Sequence, residues 1–206
     1  MRRDYERGTL DEASLNEDPI AELREWLSAA VAAKVVEPNA MALGTASADG
    51  TPNVRIVLCK GVDARGIVFY TNYRSTKARE LDENPRAALD FLWRELTRQV
   101  RVQGQVEKIG PTESDAYFRS RPRGSQLGAW ASENQSAEIT RAELDRRLAD
   151  LEKKYAGTEI PRPPFWGGYR VIPDRFEFWL GGPDRLHDCI AYVRENDGWR
   201  KMRVSP

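Results

Sequence analysis

The sequence predicts a mainly β fold with added helices (α+β), arranged as a Greek-key barrel decorated by helices. Three observations predict it. Short runs with period-two alternation recur along the chain, most clearly at 98–109. There Val100, Val102, Gly104 and Val106 share one face, while Gln99, Arg101, Gln103, Gln105 and Glu107 share the other. Turn residues such as Asp49-Gly50 and Asn196-Asp197-Gly198 punctuate the runs. The helical patterns do not alternate with strands in a βαβ rhythm, so a parallel sheet is not expected.

Residues 1–17 are polar and aperiodic, and read as an N-terminal arm; residues 18–206 read as a single domain. Asp18-Pro19 caps a helix whose Ile20, Leu23, Trp26, Leu27, Ala30 and Val31 form a core-facing stripe. Strands follow at 41–46, 53–60 and 66–72, then a short helix at 75–83 and a strand at 87–93. After 98–109 come helical pieces at 112–119 and 123–131. A longer helix starts at Thr140, where Thr140 and Glu143 have capping-box spacing and Leu144, Leu148 and Leu151 form the apolar stripe. Strands at 168–172, 175–180, 188–194 and 199–204 close the chain.

Composition narrows the function. Lys plus Arg and Asp plus Glu both number 32, so a general nucleic-acid binder would lack its electrostatic driving force. One histidine and two cysteines, Cys59 and Cys189, cannot assemble a zinc site, and reduced thiols are expected. No apolar run reaches membrane-spanning length and no secretory signal stands at the N-terminus, so a cytoplasmic protein is expected.

The residues that could carry chemistry are cations at strand ends and helix starts. Arg55-Ile56-Val57-Leu58-Cys59-Lys60 places a cation at each end of an apolar strand. Ser75-Thr76-Lys77 opens a helix, where backbone N–H groups favour a phosphate. Arg119-Ser120-Arg121-Pro122-Arg123-Gly124-Ser125 concentrates guanidinium groups and hydroxyls at a helix junction. Each cluster alone also fits a solvated rim charge or a plain cap; together they point toward phosphorylated small molecules. Gln99, Tyr70-Thr71 and Trp179 could supply the amide groups and flat wall that an isoalloxazine needs, although on pattern alone core packing is the better reading of Trp179. The spacing of Arg185 and His187 puts both on one face of a strand that starts there, a pair suited to gripping an anion or steering a proton.

These stretches resemble the pyridoxine/pyridoxamine 5′-phosphate oxidase family over almost the whole chain. The resemblance rests on Arg2-Arg3-Asp4-Tyr5, 55–60, Phe69-Tyr70-Thr71-Asn72, Arg98-Gln99-Val100, 120–130, Phe165-Trp166-Gly167-Gly168-Tyr169-Arg170, Glu177-Phe178-Trp179 and Arg185-Leu186-His187-Asp188, in that order. It implies a split β-barrel homodimer with FMN at the subunit interface and dimerisation and substrate strands at the C-terminus. The implied activity is oxidation of pyridoxine or pyridoxamine 5′-phosphate to pyridoxal 5′-phosphate, with O2 giving H2O2. FMN would be held by Arg55, Ile56, Val57, Leu58, Cys59, Lys60, Tyr70, Thr71, Thr76, Lys77, Gln99, Gln135, Ser136, Trp179 and the position of Cys189. The substrate would meet Lys60, Tyr117, Arg121 and Ser125 through its phosphate, and Arg185 and His187 at its ring, with Arg2, Arg3, Asp4 and Tyr5 folding over as a lid. Thr76 and Cys189 stand where the family usually carries arginines. Losing the second charge-assisted contact costs about 1.5–3 kcal/mol, roughly ten- to a hundredfold in FMN affinity. The alternative function is therefore a non-catalytic flavin- or B6-phosphate-binding relative. A split-barrel reductase using another flavin is disfavoured by Arg121, Ser125, Arg185 and His187.

Overall fold

The computed structural model describes residues 8–206. The expected lid residues Arg2, Arg3, Asp4 and Tyr5 lie outside the described residues. Among the described residues, nine strands form one sheet in the order β2-β1-β5-β6-β7-β4-β3, with β8 on β7 and β9 on β8. The strands are β1 Ala40–Ala46, β2 Pro52–Leu58, β3 Gly61–Asp63, β4 Gly66–Asn72, β5 Arg86–Trp93, β6 Arg98–Lys108, β7 Trp166–Leu180, β8 Asp188–Glu195 and β9 Gly198–Arg203. Every pairing among them is antiparallel, as hairpin-type connections require. The helices are α1 Pro19–Ala32, α2 Thr76–Glu83, α3 Pro111–Ser120, α4 Arg123–Ala131 and α5 Arg141–Lys154. The mainly β, α+β expectation holds.

The core forms where the alternating faces of the strands meet α1. Leu43, Leu89, Phe91, Val100, Val102, Phe178 and Ile190 are all buried on one face, and Leu23 and Trp26 of α1 pack into them. Each such side chain contributes about 1.5–3 kcal/mol by leaving water. Val31 departs from the expected stripe: it sits on its flank in the last turn and is 61% exposed. A smaller cluster of Phe118, Leu127, Ala129, Ile160 and Trp166 lies under α3 and α4, with Leu148 and Leu151 of α5 partly buried against it. Thr140 Oγ1 accepts from the Glu143 N–H at 3.1 Å, while the Glu143 carboxylate pairs with Arg146 and Arg147.

Three departures from the sequence reading have physical causes. The strand expected at 53–60 stops at Leu58, because the Cys59 N–H donates to Asn39 O and the Lys60 N–H to Val68 O. The chain thus passes from one partner strand to another, which brings the end of β2 beside β4. Two expected strands are one long β7, whose first half pairs with β4 and second half with β8. A bulge opposite Gln103/Gly104 bends it near Pro173. Gly104 is required there, since a Cβ would lie 2.1 Å from Ile172 O. The stretch before α1 is also docked: Leu10 and Leu15 are buried, the Leu10 N–H donates to Asp188, and Tyr192 Oη donates to Asn16 O.

Candidate active site

The crossing of β2 toward β4, capped by α2, α3 and α4, leaves a cleft of about 470 Å³. Ile56, Val57, Leu58, Lys60, Tyr70, Thr71, Lys77, Tyr117, Arg121, Ser125 and Gln135 line it, all of them expected site residues. Ser120, Pro122 and Trp166 complete the walls. A hollow of about 540 Å³ on β1, β2 and β5 is larger, but its one cation, Arg86, is paired with Asp174 at 2.6 Å. The smaller cleft therefore has the better claim to an anionic ligand.

Its floor is an aromatic stack. The Tyr70 and Tyr117 rings lie 3.9 Å apart at 19°, and Tyr70 and Trp166 lie 5.5 Å apart at 11°. The local sequence explains the stack. Trp166 and Gly168 share a face of β7, and Gly168 pairs with Tyr70 of β4. A Cβ on Gly168 would come within 2.8 Å of the Tyr70 ring, so glycine is what lets that ring lie flat. Burial, aided by the Glu113 carboxylate, pushes the Tyr70 phenol up to about 12.

Cations rim this floor. The Arg121 guanidinium sits 4.6 Å over the Trp166 ring, and its Nη1 is buried without a hydrogen-bond partner among the described residues. Burial lowers its pKa, the usual result when a cation is desolvated and incompletely paired. Lys77, 9% exposed, reaches Thr71 Oγ1 at 3.3 Å, and burial followed by the nearby Arg55 charge lowers its pKa. Both are strong acceptor-seeking groups, and an oxyanion would satisfy them. A flat floor with buried, under-satisfied cations fits a phosphorylated aromatic group such as FMN or a pyridine phosphate.

Other expected residues stand nearby without lining the cleft. Arg55 is held by Glu80 at 3.1 Å and also bonds Thr45 and Leu43 O. Thr76 at the start of α2 receives Arg79 on its Oγ1 at 3.1 Å, and its N–H faces Ser136 Oγ at 3.5 Å. The Cys59 side chain joins the core instead, with its thiol pushed up to about 11 by burial. Within the cationic run, Arg121 and Ser125 reach the cleft, whereas Arg123 caps α5 through Tyr155 O and Thr158 O.

Gln99, Trp179, Cys189, Arg185 and His187 do not line the cleft. Gln99, Trp179 and Cys189 form one cross-strand row on β6, β7 and β8. The His187 ring lies 4.7 Å from that of Trp179. The expected strand-face pairing of Arg185 with His187 is corrected: both precede β8, and Arg185 sits in a tight turn with φ 63°. Gly182 forces this path, because Leu186 O passes 2.2 Å from where its Cβ would be. His187 Nδ1 accepts from the Gly182 N–H at 3.1 Å, so a neutral ring carries its proton on Nε2. Cys189 is 2% exposed and neutral, with its thiol pushed up by burial and by Glu177. Eleven of the expected site residues thus line the cleft, while Gln99, Trp179, Cys189, Arg185 and His187 belong to the β6–β8 row and the turn before β8.

Residues 27–156 match the family model described as pyridoxamine 5′-phosphate oxidase, and residues 166–206 match that of the pyridoxine 5′-phosphate oxidase C-terminal dimerisation region. The whole chain is 54% identical to the pyridoxine/pyridoxamine 5′-phosphate oxidase of Rubrobacter xylanophilus, covering 95% of that protein. It is also 54% identical to the enzyme of that name from Thermosynechococcus vestitus, covering 97% of it. The chain belongs to the pyridoxine/pyridoxamine 5′-phosphate oxidase family. It is an enzyme fold of the oxidoreductase, flavoprotein class used in vitamin B6 biosynthesis. Among solved structures, PhzG of Burkholderia lata in complex with tetrahydrophenazine-1-carboxylic acid superposes with a TM-score of 0.92 at 32% identity, covering 99% of this chain and 100% of that one. A pyridoxamine 5′-phosphate oxidase-related, FMN-binding protein of Nostoc punctiforme shares the fold with a TM-score of 0.73 at 16% identity, over 89% and 97% of the two chains. These neighbours confirm the split-barrel fold class.

Sequence reasoning gave no role to Trp166, which is the cleft floor, although its signal was present. An aromatic followed by two glycines on a strand marks a place where another ring must approach closely. No described helix is long and apolar enough to cross a membrane.

Proposed function

We propose that this protein oxidises pyridoxine 5′-phosphate or pyridoxamine 5′-phosphate to pyridoxal 5′-phosphate in the cytoplasm, using FMN and O2. The alcohol and O2 become aldehyde and H2O2; the amine additionally consumes water and releases ammonia. The observation that carries this reading is the buried Arg121 Nη1 over an aromatic floor, without a partner among the described residues, in a family whose named members act on pyridoxine and pyridoxamine phosphates. Bound FMN supplies the hydride acceptor.

The chain's own residues bind and orient. Lys60, Tyr117, Arg121 and Ser125 would grip the substrate phosphate, and this remote grip fixes the reacting carbon. Lys77, with Thr71, Thr76, Gln135 and Ser136, would hold the flavin phosphate side. Arg55, tied to Glu80, would add positive potential behind Lys77. The absence of Gln99, Trp179, Arg185 and His187 from the cleft lining, with the match to a dimerisation region, favours a homodimer in which a second protomer supplies Gln99, Trp179 and the Arg185–His187 turn. There His187 would present Nε2 to the polar substituents of the pyridine ring, and Arg185 would orient that ring. The arm containing Arg2, Arg3, Asp4 and Tyr5 would exclude water as a lid.

A second reading, a flavin-binding relative with little turnover, is favoured by one observation, the neutral and buried Cys189 beside Trp179. Titration of the apoprotein with FMN, followed by a peroxide assay on both phosphate esters, separates the two. Peroxide release supports the oxidase. Saturating FMN with no turnover on either ester would transfer the claim to the binding relative.

A further inference from the structure

We infer that Arg170 is the positioning residue of the anion cleft, holding its two walls at a fixed separation from the aromatic floor. This rests on the reading of the cleft as a phosphate site. Arg170 lies on β7 four residues after Trp166 and on the same face, yet its guanidinium is 1% exposed and does not line the cleft. Three carboxylates from three elements converge on it. Asp63 at the end of β3 lies at 2.6 Å, Glu113 in the first turn of α3 at 3.2 Å, and Glu107 on β6 at 3.8 Å. Arg65 ties two of these together, 3.4 Å from Asp63 and 3.6 Å from Glu113.

Each tether leads to a cleft residue. Glu113, Tyr117 and Arg121 follow one another at four-residue spacing, so they share a side of α3 and its C-terminal cap. Asp63 closes the three-residue β3, which begins directly after Lys60. Trp166, the floor on which Arg121 rests, shares the strand with Arg170 itself. A single desolvated cation therefore fixes three parts of the cleft whose spacing a phosphate must match. Lone exposed ion pairs contribute little. This one differs because its cation is buried and its partners come from separate elements, so each pair removed leaves an under-compensated charge.

The carboxylates are half exposed, which permits a gentle test. Glu113→Gln and Asp63→Asn keep shape and leave Arg170 with its other partners. The reconstituted enzyme is titrated with inorganic phosphate and with pyridoxine 5′-phosphate, and FMN affinity is measured beside them. Each variant is expected to weaken both phosphate ligands three- to tenfold while FMN affinity stays within twofold of the parent. The deciding readout is a double-mutant cycle. In an Arg121→Ala background, Glu113→Gln is expected to add less than a twofold loss, because it acts through Arg121. Full additivity of the two losses, or unchanged phosphate affinity in both single variants, overturns the positioning role. If Arg121→Ala itself leaves phosphate affinity unchanged, the phosphate reading of the cleft fails first and takes this inference with it.

Discussion

Replacing Arg121 by alanine removes a cleft cation that stacks on the floor and carries a buried nitrogen without a partner among the described residues. Hydrogen bonds from a charged donor to a phosphate contribute about 1.5–3 kcal/mol, whereas the stacking on Trp166 is made before the ligand arrives and cancels in the binding difference. Their loss predicts a roughly ten- to hundredfold rise in the dissociation constant for pyridoxal 5′-phosphate, by roughly 1.4 kcal/mol per decade. Arg121→Lys keeps the charge but loses the planar fork, so an intermediate loss of about three- to tenfold is expected. The assay is calorimetric titration of the reconstituted protein with pyridoxal 5′-phosphate, paired with an FMN titration of the apoprotein. The fold gains little from a desolvated, under-partnered cation, so the melting temperature of Arg121→Ala is expected to hold or rise. Unchanged affinity for pyridoxal 5′-phosphate, or an equal loss for FMN, would refute the assignment of Arg121 to the substrate phosphate.

Gly168→Ala drives a methyl to 2.8 Å from the Tyr70 ring and 2.9 Å from Ile109. Overpacking of this kind costs about 1–3 kcal/mol, so a lower melting temperature and weaker phosphate binding are expected together; a neutral result would contradict the floor geometry. Cys59, pushed up to about 11 by burial, keeps its proton in the folded state at pH values where the unfolded thiol has lost it. Stability from this group is therefore full below about pH 8.5 and is lost as pH rises through about 11. Cys59→Ala should flatten that alkaline loss, measured by urea unfolding at a series of pH values. Cys189→Arg is expected to tighten FMN binding ten- to a hundredfold by restoring a charge-assisted contact of about 1.5–3 kcal/mol; an unchanged constant would show that the neutral thiol costs nothing. Arg185→Ala and His187→Ala are expected to cut turnover or substrate affinity without lowering bound FMN, and equal loss of FMN would move both residues to the cofactor.

The strands and helices were legible because their signals are local. Alternation on β6 and the Asp18-Pro19 start of α1 need no knowledge of the rest of the chain. The errors fall where a distant partner decides. β3 is too short to alternate and exists because β4 lies beside it. β7 continues through Pro173 because its neighbour changes from β4 to β8 there, leaving a break in the pairing that tolerates a residue without an N–H. Of the site, Arg121 and Lys77 stood out as cations near hydroxyls, and the structure gathers both into one cleft. Arg123, from the same run, became a helix cap, since nothing local marks which arginine turns inward. Arg170 is visible in the sequence only as part of a motif, because its carboxylate partners Glu113 and Asp63 lie 57 and 107 positions away.

The central claim is that the cleft presents a phosphorylated B6 alcohol or amine to FMN for oxidation. Its most direct measurement is anaerobic addition of pyridoxine 5′-phosphate to the FMN-reconstituted protein, followed by flavin absorbance. The oxidised flavin band is expected to bleach and to recover on admitting O2 with release of H2O2, with far weaker bleaching in Arg121→Ala at the same substrate concentration. A flavin band that stays oxidised with both pyridoxine and pyridoxamine 5′-phosphate at saturating concentration would contradict it.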